Sequence, residues 1–395
     1  MRNTMRQHNI AVINAGSSSL KFSLFEVTPS GPVRRIRGQI AEINTDPVFS
    51  ARIGTEPSGQ DLKLGDAHSG HHRCLHFLLE WLGQHAQVHA AGHRIVHGGL
   101  DFCQPVVLDS SVIERLEALI PLAPLHQPYN LEPIRVLSKL YPGLIQVACF
   151  DTAFHATKRK EARQFPLPTF LTQAGIRRYG FHGLSYEYIA MKLKEVDPAL
   201  AQGRVVVAHL GNGASMCAIH HGLAVDSTMG LTAADGLPMG TRSGSLDPGV
   251  LLFMVRELNM SLDAVEDVLY RQSGLKGVSG LSHDMRLLEQ SDRPEAKDAI
   301  DLFVYRIQQQ FGALGASLGG IDGAVFTAGI GENSSHVRSQ TLQGLQWLGF
   351  ELDHDANNRH ASRITAAKSR IPAYVIPTDE DLMIAHHVQQ ILIQG

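Results

Sequence analysis

Ile10-Ala-Val-Ile-Asn-Ala-Gly-Ser-Ser-Ser-Leu-Lys-Phe-Ser-Leu-Phe-Glu-Val27 decides how the rest of the chain is read. An apolar run stops at Asn14-Ala-Gly16-Ser, and an alternating apolar run follows. That pattern is strand, tight turn, strand. Residues 204–225 echo it. Arg204-Val-Val-Val-Ala-His-Leu210 leads into Gly211-Asn-Gly-Ala-Ser215, then Met216-Cys-Ala-Ile219, a turn at His221-Gly222, and a third short strand. Two such units about half a chain apart predict a duplicated core.

Between and beyond them, strands alternate with helices, which predicts an α/β fold. Ser111–Ile120 has helical periodicity with Pro121 as its stop, and residues 250–271 and 295–318 read as longer amphipathic helices. Leu144–Phe150 is an apolar strand running into Asp151. Ala324-Val-Phe-Thr327 is a short strand entering the glycine-rich Ala328-Gly-Ile-Gly-Glu-Asn-Ser334. Tyr374-Val-Ile376 is a last strand, and Thr378 with Asp381 forms a capping box for a final helix. The 395 residues exceed one ordinary core and divide into two domains, 1–151 plus 382–395 and 152–381.

Hydrophobic residues make up 44% and charged residues 18%, a globular composition. A net charge of -3 offers no basic surplus for nucleic acid. The N-terminus with the short apolar run after it, broken by Asn14 and Gly16, is expected to be neither a signal peptide nor a membrane span, and no other stretch reaches spanning length. Cys74, Cys103, Cys149 and Cys217 are widely spaced with no C-x-x-C pair, which fits reduced thiols in a cytoplasmic protein. The 21 histidines include adjacent pairs at 71–72, 220–221 and 386–387, which do not share a helical face, and no H-E-x-x-H occurs. These histidines are expected to be surface or core residues.

Three segments can hold phosphate or a flat ligand. In Asn14–Lys21, Gly16 permits the turn, serine hydroxyls and backbone N–H groups can face a phosphate, and Lys21 adds a point charge. It is not a Walker loop, since G-x-x-x-x-G-K-[ST] occurs nowhere. In His209-Leu-Gly-Asn-Gly-Ala-Ser215, two glycines let backbone approach a diphosphate; G-x-G alone is common in turns, and its weight comes from pairing with the first loop. In Gly329-Ile-Gly-Glu-Asn333, glycines at a strand-to-helix junction allow a ring to lie against backbone, and Asp284-Met-Arg286 can join that pocket. A fourth set is scattered: Arg94, Asp151, His182, Arg242 and Glu380 each sit where an apolar or glycine-bounded segment ends. Charged residues in such company are rarely buried unless paired.

These stretches resemble the signature segments of the acetokinase family. The resemblance rests on Asn14-Ala-Gly-Ser-Ser-Ser-Leu-Lys21, Arg178-Tyr-Gly-Phe-His-Gly183, Ser227-Thr-Met-Gly-Leu-Thr232 with Pro238-Met-Gly-Thr-Arg-Ser-Gly244, and Thr327-Ala-Gly-Ile-Gly-Glu-Asn-Ser334. It runs in order from residue 10 to about 386. It implies the sugar kinase, Hsp70 and actin superfamily, with a duplicated ribonuclease H-like core and a cleft between domains. It implies reversible phosphoryl transfer between ATP and acetate, with Mg2+ (or Mn2+) as metal, in a homodimer built through the C-terminal domain.

Residue by residue, the resemblance implies Asn14 and Glu380 at the metal. ATP would be bound by Lys21, by His209, Leu210, Gly211, Asn212 and Gly213, by Asp284, Met285 and Arg286, and by Gly329, Ile330, Gly331, Glu332 and Asn333. Arg94 would bind the substrate carboxylate, and Val96, Leu125 and Phe181 its methyl group. Asp151 would be the essential acid, and His182 and Arg242 would stabilise the transition state. The chain departs from the family pattern at Ala233, where Pro is frequent, at Ser245, where Asp is usual, and at Lys276 and His283. None of these is a proposed catalytic residue.

Acetate carries no proton at neutral pH for a base to remove, so Asp151 is expected to orient Arg94 or a metal-bound water. A propionate or butyrate kinase shares the chemistry and differs only in pocket depth. A sugar or glycerol kinase would need a polar substrate pocket, against the apolar Val96, Leu125 and Phe181. An actin- or Hsp70-like ATPase would leave Arg94, His182 and Arg242 without an evident task.

Overall fold

A computed structural model describes residues 8–394. Residues 1–7 of the stretch read as neither leader nor span lie outside the described residues, and the apolar run that follows them is part of the first strand. The chain divides into two units: one runs through Ala153 and takes up the chain again at Asp379, the other holds Phe154–Thr378.

The first unit is an eight-stranded sheet. Its strands are β1 (Asn9–Ala15), β2 (Ser19–Thr28), β3 (Gly31–Ala41), β4 (Val48–Ile53), β5 (Glu56–Lys63), β6 (Ala90–Ile95), β7 (Val106–Val107) and β8 (Ile145–Phe150). Their order is β5-β4-β3-β2-β1-β6-β8-β7. The stretch from β1 to β4 is an antiparallel meander, while β1, β6 and β8 run parallel. The second unit has β9 (Arg204–Leu210), β10 (Ala214–His220), β11 (Leu223–Ser227), β12 (Gly323–Thr327) and β13 (Ala373–Val375), in the order β11-β10-β9-β12-β13. Here too the first three strands are antiparallel and the last two join parallel. The order β3-β2-β1-β6-β8 is thus repeated in the second sheet, and the duplication read from the two hairpins is the architecture of the chain.

Buried positions on the strands follow burial on both faces, with β9 and β10 apolar almost throughout. In the first unit, Phe22 and Phe49 stack in one core, and Trp81 from the helix His71–His85 meets both edge-on. The helix Glu380–Gln394 packs on the same sheet. Gly92 on β6 makes that close approach feasible: a Cβ there would stand 2.5 Å from Ile384 Cγ2.

Four local expectations are corrected. The domain boundary falls at 378 rather than 381, because residues 379–381 anchor in the first unit: Asp379 pairs with Arg34, and Ser23 Oγ donates to Asp381 at 2.7 Å. The final helix is capped by Asp379, whose Oδ1 accepts from Leu382 N at 3.0 Å, and not by Thr378, whose hydroxyl lies 2.8 Å from Ser185 Oγ. Residues 250–271 are not one helix. Pro248–Arg256 ends before Asn259, which takes a left-handed φ of 52°, and a new helix starts at Leu262. The glycine-rich stretch after β12 is itself a short helix, Ala328–Asn333.

Pro294–Leu318 is helical as expected. No disulfide joins the four cysteines, and among the described residues no helix is long and apolar enough to cross a membrane.

Three buried histidines make the fold acid-sensitive. Gln146 donates through Nε2 to Ser138 Oγ, so its Oε1 accepts from His93 Nε2 at 2.9 Å. Burial pushes His93 and His97 down to about 4 and His155 to about 3, from 6.5. Unfolding restores the ordinary value, so below 6.5 the unfolded chain binds protons that the native chain refuses. Stability is present above pH 6.5 and falls as pH drops toward 4, by at most ~1.4 kcal/mol per pH unit for each histidine. Urea unfolding at pH 7 and pH 5 should show this loss, and His93→Gln should shallow the acid limb. Equal limbs in the two proteins would contradict the assignment.

Candidate active site

In the first unit, three neighbouring parallel strands deliver polar side chains at their carboxyl ends. Asn14 is the penultimate residue of β1, Arg94 of β6, and Asp151 follows β8, its N–H donating to Ile95 O at 3.0 Å. The β1–β2 register sets Lys21 directly across from Asn14, and Gly16 N donates to Ser19 O at 2.8 Å to close the turn. Asn130 ties two of these strand ends together: its Oδ1 accepts from Val96 N at 3.0 Å and its Nδ2 donates to Ala15 O at 2.8 Å.

Asp151 is 1% exposed and grips the side of the Arg94 guanidinium, with Nε–Oδ1 at 3.0 Å and Nη2–Oδ2 at 2.6 Å. Two charge-assisted bonds of this length belong to an ionised carboxylate. Arg94 Nη1 donates to Asn14 Oδ1 at 3.4 Å, and Glu380 Oε2 lies 3.7 Å from Arg94 Nε. A guanidinium bound side-on still presents its Nη1–Nη2 end.

Burial pushes the Asp151 carboxyl up, and Arg94 pulls it back. Burial also pushes Glu380 up to about 7, with Arg94 opposing and Asp151 and Asp381 adding to the rise. The oxygen donors gathered here, Asn14 Oδ1 and the Glu380 carboxylate beside Asp151, are hard ligands of the kind Mg2+ accepts. A divalent cation would relieve the crowding of carboxylates that raises Glu380. Among the described residues, no group of three or more His, Cys, Asp or Glu side chains is arranged to hold a metal.

In the second unit, the β9–β10 hairpin carries the turn 211–213, closed by Gly211 N donating to Gly213 O at 3.1 Å. His182 opens the helix Gly183–Val196 with a left-handed φ of 57°. Its ring stacks on His209 at 4.2 Å, and its Nδ1 lies 2.8 Å from Ser215 Oγ, which also bonds Tyr186 OH. A Cβ on Gly213 would stand 3.3 Å from His182 Nε2 and 3.8 Å from Arg242 Nη1, so both side chains border this turn. The Arg242 turn is tied to it by Gly240 N donating to Asn212 O at 2.9 Å; a Cβ at Gly240 would meet Asn212 Oδ1 at 2.0 Å.

A pocket of about 720 Å³ opens beside this turn, lined among others by Gly211, Asn212, Asp284, Met285, Arg286, Gly329, Ile330 and Asn333. It brings together three segments that the sequence reading had grouped. Asp284 caps its own short helix and pairs with Arg286 at 2.7 Å.

Other expected site residues sit elsewhere. Leu210 and Gly331 are buried, and Glu332 Oε1 accepts from Ala328 N and Thr378 N at 2.8 and 3.1 Å, bracing the strained backbone at Ala328. Val96 and Leu125 belong to the first unit and Phe181 to the second. His283, Glu289 and Ser334 also line the pocket and were not anticipated as ligand contacts. Glu289 lies one helical turn beyond Met285, and Ser334 follows Asn333, so helical spacing and adjacency were the available signals.

A family model described as the Acetokinase family matches residues 9–386. An acetate kinase of Nitrobacter hamburgensis is 50% identical, over 98% of this chain and 96% of the relative. Among solved structures, a propionate kinase of Francisella tularensis superposes with a TM-score of 0.89 at 35% identity, covering 96% of this chain and 98% of that one. An acetate kinase of Porphyromonas gingivalis gives 0.88 at 34% identity, covering 98% and 100%.

Asp151→Ala leaves the Arg94 cation partly buried without its carboxylate. Urea unfolding should show a loss of about 3 kcal/mol. The double replacement Asp151→Leu with Arg94→Met should recover most of it. A single-variant loss within experimental error would contradict the pairing.

Proposed function

The chain belongs to the acetokinase family, and from that premise we propose that it transfers a phosphoryl group between ATP and acetate, forming acetyl phosphate and ADP. The observation that carries the reading is the Arg94–Asp151 pair at 2.6 and 3.0 Å beside Asn14 and Glu380. It is a fixed cation with an open donor edge, suited to a small carboxylate.

Acetate and ATP are both anions, and two unit charges about 4 Å apart repel by roughly 1 kcal/mol in water and more in a drier site. Arg94 offsets that by donating through Nη1 and Nη2 to the acetate carboxylate, while Asp151 holds the other edge of the guanidinium. Asp151 so acts by orienting Arg94, and no proton need pass through it. Val96, which is buried, and Leu125 border the methyl group. One methylene changes binding in such a pocket by only ~1–3 kcal/mol. Similarity to a propionate kinase favours propionate as a second substrate, and kcat/KM across two- to four-carbon acids ranks them.

The nucleotide occupies the pocket between the 211–213 turn, the helix Met285–Glu289 and the helix Ala328–Asn333. Asn14 and Glu380 would hold Mg2+, which would supply charge neutralisation to the phosphate oxygens. His182 and Arg242 stabilise the charge that develops on the transferred group. In that role His182 offers Nε2–H to the phosphoryl oxygens while its Nδ1 accepts from Ser215 Oγ, an arrangement that the Ser215–Tyr186 hydroxyl pair accommodates. We place the protein in the cytoplasm, where ATP is kept and thiols such as the exposed Cys103 stay reduced.

The helix Pro248–Arg256 buries no residue, and Leu252 and Phe253 are 51% and 57% exposed, with Leu258 and Leu262 nearby at 57% and 77%. Apolar surface of this kind is the mark of an interface, and it supports the homodimer through the second unit. Sedimentation should give twice the chain mass, and Leu252→Glu with Phe253→Glu should give the single chain; a monomeric parent protein would remove this part of the reading.

The activity is tested by trapping the acyl phosphate with hydroxylamine in the presence of ATP and Mg2+. Hydroxamate should form only when acetate is added, and Arg94→Ala should lower kcat/KM for acetate by at least ~100-fold. ATP hydrolysis indifferent to acetate would point to a nucleotide switch instead. A variant within a few-fold of the parent would remove Arg94 from the acetate site.

A further inference from the structure

The loop that carries Arg242 is held at its tip and at its root by different means. At the tip, Met239 N donates to Arg242 O at 3.0 Å, and backbone bonds run to Asn212, Leu269, Ser273, Leu275 and Lys276. These fix the Arg242 backbone. The backbone bonds do not reach the guanidinium, whose Nη1 donates to Ala233 O at 2.8 Å and lies 3.6 Å from Met239 Sδ. Ala233 lies on the segment that enters the loop, so the aim of the side chain depends on how that segment sits against the loop root.

Asp235 makes that connection. Its Oδ1 accepts from Gly236 N at 2.9 Å and from Ser245 Oγ, and its Oδ2 accepts from Arg178 Nη1 at 3.2 Å. Gly236 and Ser245, the two ends of the loop, are also joined directly: Ser245 N donates to Gly236 O and Gly236 N to Ser245 Oγ, each at 3.0 Å. Arg178 then spreads Nη2 over the carbonyls of Ser227, Thr228 and Met229, with Nη2–O distances of 3.2, 3.2 and 3.4 Å. One carboxylate so ties both loop ends to the strand that precedes Ala233. Ser245, where the family pattern has Asp, supplies a hydroxyl donor in place of a second negative charge beside Asp235.

We propose that Asp235, with Ser245 and Arg178, is a positioning group for Arg242, fixing the Ala233 carbonyl on which the Arg242 guanidinium is aimed. The proposal rests on the reading of Arg242 as a transition-state cation. A group that aims a transition-state contact changes kcat and leaves ground-state nucleotide binding alone. A displacement of about 1 Å in such a contact costs up to ~100-fold in rate.

The experiment compares kcat, KM for ATP and thermal midpoint in Asp235→Ala, Arg242→Ala and the double variant. Asp235→Ala should lower kcat by ~10- to 100-fold, with KM for ATP within about twofold. The double variant should be no slower than Arg242→Ala alone, because both changes remove one contact. If the two losses multiply, or if kcat is untouched in Asp235→Ala, the proposal is overturned. If Arg242→Ala itself keeps the parent kcat, it is the reading of Arg242 that fails, whatever Asp235→Ala does. Should Asp235→Ala not fold, Ser245→Ala, which removes one hydroxyl from the brace, should still lower kcat several-fold at unchanged KM for ATP; an unchanged kcat there overturns the proposal equally.

Discussion

A carboxylate and a guanidinium, both drawn out of water at the ends of two adjacent parallel strands, constrain the first unit more than any other contact. Asp151 is almost wholly buried and its burial is tolerable only because Arg94 binds both of its oxygens. The pairing dictates where the guanidinium points and which edge it has left to offer. Much of the surrounding structure serves to hold it. Asn130 ties β1 to β6, Gly92 lets the last helix lie close enough to place Glu380 near Arg94, and Asp379 and Asp381 pin that helix to β3 and β2.

The second unit repeats the strand order and puts it to another use. In both, ligand-facing groups gather where parallel strands end, as open α/β sheets favour. In the first, those ends carry charge: Asn14, Arg94 and Asp151. In the second, the ends of β9 and β12 lead into glycines, Gly211 with Gly213 and then Gly329, and the space they leave becomes the pocket. His182 and Arg242 of this unit come from outside the strands and are set against the turn by hydrogen bonds and close backbone approach.

Period and punctuation revealed the hairpins, the strand ends and the long helix Pro294–Leu318 because those depend on neighbours in sequence. What depends on distant partners was not legible. Nothing near Thr378 says that its hydroxyl meets Ser185 and leaves the cap to Asp379. The break near Asn259 turns on one residue in a left-handed conformation inside a pattern that otherwise reads as continuous helix. Glu332 looks like a ligand residue in a glycine-rich stretch, yet its carboxylate is spent on the backbone of Ala328 and Thr378. Glu289 escaped notice because its one mark was a single-turn offset from Met285 on a short helix that the sequence does not announce.

The central claim is that Asp151 acts by holding Arg94 and not by moving a proton. The pH dependence of kcat/KM for acetate, measured from pH 5.5 to 8.5 for the parent protein and for Asp151→Asn, tests it most directly. The account expects a uniform loss across that range with the shape of the profile kept. A profile in which the parent has a limb that the variant lacks would mean that the carboxyl exchanges a proton during the reaction, and would contradict it.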